Sequence, residues 1–383
     1  MSANYKKLGE IVKLIDERNK DEKVQTLIGV SIEKCFIKSV ANTIGTDLSK
    51  YQIIRKNDFA CSLMQVSRDG KIPIACLKDY DEAIMSPAYY IFRIKNTDEV
   101  LPDYLSMWFM RSEFDREAAY IAVGGVRGSM PWEDFCNMEL PIPDIKEQQK
   151  IVDAYNSITK RIQIKQKINE NLEKICYINY EKLLIDQKDN LFSGKIGDYA
   201  KVKSGYAFKS EWWNNIGYKV IKIGNITNNT IDLESCAKVS EENIYKSSEF
   251  FVKTGDLLIA MTGATTGKIG IVPLTNEIIS VNQRTGKFFI GNEPLEKVPY
   301  LFSMMQSQSV RKNLTPDGSA GSAQDNLSSD DIQNIDVIYP NQKEIDIYNK
   351  QFKPLILKIV QNHNEISKLA ELKQLVISRI SGM

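Results

Sequence analysis

Asn282-Gln-Arg284 places side by side the carboxamides that pair in bidentate fashion with adenine and a guanidinium that does so with guanine. Two further segments have the same character. Lys201-Val-Lys-Ser-Gly-Tyr-Ala-Phe-Lys209 sets lysines, a hydroxyl, a glycine and two aromatics close together, with Lys201, Lys203, Ser204, Tyr206, Phe208 and Lys209 as contact candidates. Thr262-Gly-Ala-Thr-Thr-Gly-Lys268 offers the hydroxyls of Thr262, Thr265 and Thr266, the ammonium of Lys268, and backbone N–H groups freed by glycine. In the first half the counterparts are Gln65, Ser67, Arg68 and Lys71, then Arg127 and Ser129 in Gly124-Gly-Val-Arg-Gly-Ser129; in the second half Ser322 belongs to the matching Gly-Ser and Gln324 follows it. Reading a duplex needs such donors and acceptors on loops, with cations and small residues beside them to meet phosphates. A polar Gly/Thr/Lys loop is ordinarily a solvated turn, so recurrence in both halves carries the group more than any member does.

Other chemistries find no support. The single histidine, His363, lies among Ile359, Ile366 and Leu369 on a helical pattern, the place of a helix-seam residue, and a multi-histidine metal or hydrolase site cannot be assembled. Gly263-Ala-Thr-Thr-Gly-Lys268 has three residues between its glycines and Ile269 after Lys, whereas a phosphate loop needs four and a hydroxyl. Ser86-Pro-Ala-Tyr-Tyr90 lacks the second proline of an amino-methyltransferase loop, and no glycine-rich cofactor fingerprint accompanies it. The acid pairs Asp330-Asp331 and Glu241-Glu242 suit helix caps or solvent. The six cysteines never form a C-x-x-C pair, which speaks against structural zinc and for a reducing compartment.

These loops need a scaffold, and the chain carries it twice. Lys7-Leu-Gly-Glu10 is echoed by Lys195-Ile-Gly-Asp198, Lys56-Asn-Asp-Phe59 by Thr254-Gly-Asp-Leu257, and Gly70-Lys-Ile-Pro-Ile74 by Gly267-Lys-Ile-Gly-Ile271. Leu101-Pro-Asp-Tyr-Leu105, Gly128-Ser129 and Pro143-Asp-Ile-Lys-Glu147 find partners at Val298-Pro-Tyr-Leu301, Gly321-Ser322 and Pro340-Asn-Gln-Lys-Glu344, in the same order. Each copy opens with short apolar runs punctuated by Gly, Asn and Pro, which read as strands and turns. Each closes on a helical period: Ile151, Tyr155, Ile158, Ile162, then Ile168, Leu172 and Ile175 past an interrupting Lys165; and Leu355, Ile359, Ile366, Leu369, Val376 and Ile380, with Pro354 expected to mark a turn, break or kink. Two such stripes bury each other most economically.

The expected fold is α+β: similar domains of twisted sheet with short helices at 1–144 and 189–340, separated by long antiparallel coiled-coil helices at 145–188 and 341–383, in a pseudo-two-fold repeat. Length, 43% apolar and 26% charged residues, and a net charge of +1 fit a folded chain without a uniformly basic coat. No run approaches the roughly 20 apolar residues of a membrane helix, and the start, Met1 to Lys7, carries no export stretch; no membrane partner and a cytoplasmic location are expected.

The junction Gly128-Ser-Met-Pro-Trp-Glu-Asp-Phe-Cys-Asn-Met-Glu-Leu-Pro-Ile-Pro-Asp-Ile-Lys-Glu-Gln-Gln-Lys-Ile151 resembles that between a target-recognition domain and a spacer helix in specificity subunits of type I restriction-modification systems. So do Val202-Lys-Ser-Gly-Tyr-Ala-Phe-Lys209, Val220-Ile-Lys-Ile-Gly-Asn-Ile226 and Gly255-Asp-Leu-Leu-Ile-Ala-Met-Thr-Gly263. The second junction keeps Pro340 and Glu344 but loses the Gln that follows Glu147. The resemblance implies a non-catalytic reader of double-stranded DNA whose two domains each read one half of a split target, about one helical turn apart. It also implies helices that dock two methyltransferase subunits, with motor-nuclease subunits joining; Glu147, Gln148, Gln149, Lys343 and Glu344 are the docking candidates. No cofactor is expected in this chain, S-adenosylmethionine, ATP and Mg²⁺ belonging to the partners. The rivals are a self-contained adenine methyltransferase or nuclease with a fused recognition domain, and a scaffold that does not bind DNA.

Overall fold

The computed structural model describes residues 4–380 apart from 40–45, 65, 125–127, 228 and 315–325. Residues 1–160 with 369–383 form one compact unit and 161–368 the other, so each long helix is divided between them.

In the first unit, Asn4–Lys7 pairs antiparallel with Glu139–Ile142. The short helix Leu8–Ile11 then feeds Val12–Ile15 into a four-stranded sheet ordered Val12–Ile15, Tyr90–Ile94, Phe59–Cys61, Ile74–Cys76. The second unit repeats this. Phe192–Lys195 pairs with Asp336–Tyr339, Ile196–Tyr199 is helical, and Lys201–Ser204 opens a sheet continuing through Thr285–Phe289, Leu257–Ala260 and Ile269–Ile271. That sheet then adds Asn229–Ile231 and Ile226–Thr227. Lys201–Ser204 buries only Val202, as an edge strand does, whereas Leu257–Ala260 is buried throughout.

The repeat extends to single hydrogen bonds. Lys7 Nζ donates to Asn137 Oδ1 at 3.1 Å and Lys195 Nζ to Asn334 Oδ1 at 2.9 Å. Each sheet has a turn built on a buried aspartate, preceded by a residue in the left-handed region: Asn57 (φ 69°) before Asp58, Gly255 (φ 88°) before Asp256. Asp58 Oδ2 accepts from Arg55 N at 2.9 Å and its carboxylate meets Arg93; Asp256 Oδ2 accepts from Lys253 N at 2.8 Å and lies 3.2 Å from Lys287 Nζ. Burial pushes the Asp256 carboxyl up from its ordinary value, which Lys287 opposes. The echo of Asn-Asp by Gly-Asp thus preserves one turn that starts the central strand of each sheet.

The units diverge in their second sheets. Gln52–Arg55 runs antiparallel to Glu82–Met85, whereas Tyr218–Ile221 runs parallel to Ile279–Val281 and is flanked by Ala237–Val239. Their cores differ too: the first is aromatic around Phe59, Phe92, Trp108, Phe109, Phe114 and Phe135, the second centres on Tyr180, Tyr300, Tyr348 and Phe352 with aliphatic residues.

The long helices span Ile145–Asp186 and Gln342–Arg379. Asp144 Oδ1 caps the first by accepting from Lys146 and Glu147 N, and Asn341 Oδ1 accepts from Glu344 N at the second. Pro354 neither ends nor breaks its helix; it sits exposed within it. The buried stripe also differs from the sequence expectation. Ile168 and Ile175 are 39% and 44% exposed, while Lys165, Asn169, Leu172, Cys176 and Tyr180 carry the seam. Within the second unit the partners run antiparallel: Lys165 Nζ reaches Glu365, Asn169 meets Asn362 and Ile359, and Tyr348 OH donates to Cys176 O. Within the first unit Ile151, Val152 and Tyr155 join one cluster with Val376, Ile377 and Ile380.

His363 stands beside this seam, where its Nε2 is buried and has no partner among the described residues. It lines a cavity of about 390 Å³ with Gln166, Asn169, Glu170, Glu173 and Asn229. Burial pulls its imidazole down to about 4 from 6.5, so the unfolded chain takes up the proton first as pH falls. Its contribution to stability is complete above about pH 6.5 and is lost between there and about pH 4, by at most ~3 kcal/mol. Burial raises Glu173 in the same cavity, an effect of the other sign, so the measurement is a difference. In urea denaturation, wild type should lose about 3 kcal/mol relative to His363→Leu between neutral pH and about pH 4; a pH-independent difference would contradict this account.

Candidate nucleic-acid interface

Main-chain bonds draw the second unit's loops together at one end of its sheet. Tyr206 N donates to Val281 O and Gln283 N to Tyr206 O, both at 2.9 Å, while Gly205 N donates to Thr285 O at 3.0 Å. Ser204 N donates to Ser329 Oγ at 3.0 Å and Ser204 Oγ to Gln283 O. Met261 N reaches Arg284 O, Leu327 N reaches Met261 O, and Asn282 N donates to Ile221 O. Segments 204–206, 260–268, 281–285 and 327–329 are therefore one knitted surface. Gly205 is required there, because a Cβ would land on the carbonyl oxygens of Val281 and Asn282.

On this surface Ser204, Lys268, Gln283 and Arg284 are exposed and Tyr206, Thr262, Thr265, Thr266 and Asn282 half-buried; Lys203 and Lys209 are exposed beside it, whereas exposed Lys201, opposite Phe289, stands at the other end of its strand. Among the described residues, the Arg284 guanidinium has no carboxylate within ion-pair distance. Lys203 is engaged by Glu249. Thr266 Oγ1 closes its own turn on Gly263 O at 2.7 Å, whereas the hydroxyls of Thr262 and Thr265 are buried without a partner among the described residues. Phe208 departs from expectation: it is buried with Val220, Val239 and Ile244 and offers no ring to a base. Trp212, Trp213 and Lys222 are not among the residues the motifs single out, yet they border this surface. Lys222 Nζ lies 3.6 Å from the centroid of the Trp213 ring. In Val220-Ile-Lys-Ile-Gly-Asn-Ile226 the apolar run suggests a strand that continues through this lysine; the strand ends at Ile221.

In the first unit Ser67 and Arg68 are exposed on the short helix Val66–Asp69, and Lys71 follows it. Met130 N donates to Leu63 O at 2.9 Å, and Gly128 (φ +73°) packs where any Cβ would strike Ser67 Oγ, so half-buried Ser129 returns beside this helix. Arg68 pairs with Asp69 at 2.7 Å. Beneath them a buried ion pair, Lys34 Nζ to Asp115 Oδ1 at 2.8 Å, anchors Ile72 N through the same carboxylate, and burial draws the Lys34 ammonium below its usual range. Gln65, Arg127, Ser322 and Gln324 lie outside the described residues.

Of the docking candidates, Gln149 and Lys343 are exposed and Glu147 and Glu344 half-buried. Gln148 is a correction: it has no exposed surface. Its Nε2 donates to Glu99 O at 2.8 Å and Pro143 O at 2.9 Å, and its Oε1 accepts from Leu101 N at 3.0 Å, so it ties the helix to its own domain. Among the described residues no three His, Cys, Asp or Glu side chains gather as a metal site, and no helix is long and apolar enough to cross a membrane.

Paired sheets with polar loops knitted at a strand end, each followed by a long helix, define a class of duplicated recognition proteins. The chain belongs to the type I restriction modification DNA specificity domain family, whose sequence model matches residues 4–174 and again 190–375. It is 20% identical over 375 residues to the type I restriction enzyme HindI specificity subunit of Haemophilus influenzae, covering 79% of this chain and 81% of that one. It is 26% identical over 200 residues to the type I restriction enzyme MjaVIII specificity subunit of Methanocaldococcus jannaschii, 47% of each chain, and so spans about half the length of that relative. Its fold is similar to that of the S subunit of a type I restriction-modification system from M. genitalium, with a TM-score of 0.55 at 13% identity over 99% of this chain and 96% of that one.

The knit predicts that Gly205→Ala destabilises the second unit by about 1–3 kcal/mol in chemical denaturation. Gly224→Ala, where a Cβ meets nothing within 4 Å, should change stability by less than about 0.5 kcal/mol. Equal effects at the two sites would contradict the close approach.

Proposed function

We propose that this chain is the DNA sequence-specificity subunit of a type I restriction-modification complex. Each half reads one part of a bipartite target in double-stranded DNA, and the long helices dock two methyltransferase subunits and the motor-nuclease subunits. The chain catalyses nothing itself; S-adenosylmethionine, ATP and Mg²⁺ are bound by the partners, and the complex works in the cytoplasm. The observation that carries this reading is the duplicated domain, with one strand order in both halves and the family match falling on each. Exposed Gln283, Arg284, Lys268 and Lys209 in one half, and Ser67, Arg68 and Lys71 in the other, supply the base and phosphate contacts.

For docking, a stripe on the central helix replaces Gln148. Ile164, Ile168, Ile175, Ile178 and Ile185 recur at helical spacing on one face of this helix and are 39–68% exposed. A row of β-branched aliphatic chains left in water is the signature of a covered interface. Its occupant in this reading is an apolar helix of a methyltransferase subunit.

Adenine-methylation mapping in cells that express the chain with its cognate methyltransferase should return one motif in two parts separated by unread bases. Replacing residues 189–340 with the corresponding domain of a relative should change only one part; a single uninterrupted motif would refute the reading. Ile168→Glu combined with Ile175→Glu should leave the chain folded but lower co-purification with the methyltransferase, and methylation with it, by more than about tenfold. Undiminished co-purification would place docking elsewhere.

A further inference from the structure

Lys222 begins a tight turn, Ile223–Asn225, held by a bond from its own N–H to Asn225 Oδ1 at 2.8 Å. The turn is wedged between two of the knitted loops. Asn282 N is bonded to Ile221 O on one side, and on the other Ile223 Cδ1 lies 3.7 Å from where a Cβ would stand on Gly263. The Lys222 ammonium rests over Trp213, Lys209 Nζ lies 5.5 Å from the centroid of Trp212, and Tyr206 stacks on Trp212 with a 14° interplanar angle.

Four lysines of this domain are paired with acids: Lys203 with Glu249, Lys219 with Glu234 and Glu277, Lys246 with Glu242, Lys287 with Asp256. Among the described residues, Lys209 and Lys222 have no carboxylate within ion-pair distance. Lys222 is nevertheless half-buried, and burial draws its ammonium below the ordinary range with no acid to offset it. A cation held partly out of water against an aromatic face, with no internal counter-charge, is arranged for an external anion. An ammonium is a compact point charge without the planar fork of a guanidinium, which suits it to a phosphate oxygen. The face of Trp213 beneath it is occupied and cannot stack on a base.

We propose that Lys222, with Lys209, forms a phosphate seat oriented by Trp213 and Trp212, which grips a backbone phosphodiester beside the bases met by Asn282, Gln283 and Arg284. The seat sets the register of the reading loop on the strand and carries no sequence preference of its own. This rests on the DNA-reading function proposed above.

The test is duplex binding by the full chain with its methyltransferase across a salt series, on the mapped target and on variants of it. Lys222→Gln should weaken binding about tenfold and flatten the slope of log affinity against log salt by about 1, with the preferred sequence unchanged. Lys222→Arg should retain most of the slope. Lys297→Gln, beyond the opposite end of the Thr285–Phe289 strand from Arg284, should change nothing. Thermal unfolding of Lys222→Gln that matches wild type removes misfolding as a cause. An unaltered slope in Lys222→Gln, or a shifted base preference, overturns the phosphate seat while leaving DNA reading intact. Wild type that shows neither salt-dependent nor sequence-dependent binding overturns both.

Discussion

The carboxamides of Asn169 and Asn362 meet 2.7 Å apart inside the helix seam of the second unit, and the register of that unit's helices follows from them. Both side chains are buried. Sliding either helix by one turn would separate the two amides, at a cost of about 1–3 kcal/mol for every polar group left unsatisfied. Purely apolar seams distinguish registers weakly, whereas a buried amide pair selects one at some expense in stability. Lys165 beside Glu365 and Asn362 extends the polar layer by a turn. The domain is then fastened to this fixed frame: Asn229 Nδ2 donates to Glu173 Oε2, and Asn364 bonds both the N–H and the carbonyl of Leu274.

From that frame outward, rigidity is handed to the reading surface through backbone rather than side chains. The buried aspartate of each sheet fixes the turn into the central strand, and the ladder passes this order to loops whose amides and carbonyls bond one another. Gln283 and Arg284 are consequently held at their main chain while their side chains extend into solvent. A surface of this kind presents its donors in a defined place without freezing their rotamers, which suits contacts completed only on a duplex.

Much of this is legible in the sequence because the duplicated unit repeats its punctuation. Lys7-Leu-Gly and Lys195-Ile-Gly each close a strand and open a short helix, and Asn-Asp and Gly-Asp each make a left-handed turn, so positional echoes become topological ones. The helix seam escapes such a reading where its logic is polar. Lys165 and Asn169 occupy core positions, and a search for apolar residues at helical spacing moves onto Ile168 and Ile175 instead. Phe208 and Gln148 mislead for a related reason: an aromatic in a lysine-rich loop and a glutamine in a charged stretch look exposed, but tertiary neighbours decide burial. Lys222 is hidden because its strand stops at Ile221, two residues before the apolar run ends at Ile223. The parallel pairing of Tyr218–Ile221 with Ile279–Val281 has no local signature, since partner direction is not encoded in either segment alone.

Gln148 has a mechanical consequence. It grips Glu99, Leu101 and Pro143 from the first turns of the central helix, and at the other junction Asn349 Oδ1 accepts from Tyr300 N while its Nδ2 donates to Tyr199 OH. At each junction a side chain inside the helix is bolted to the domain that precedes it, and no slack linker intervenes. Torque applied to either domain is delivered to its rod as axial rotation, so the joint behaves as a keyed shaft.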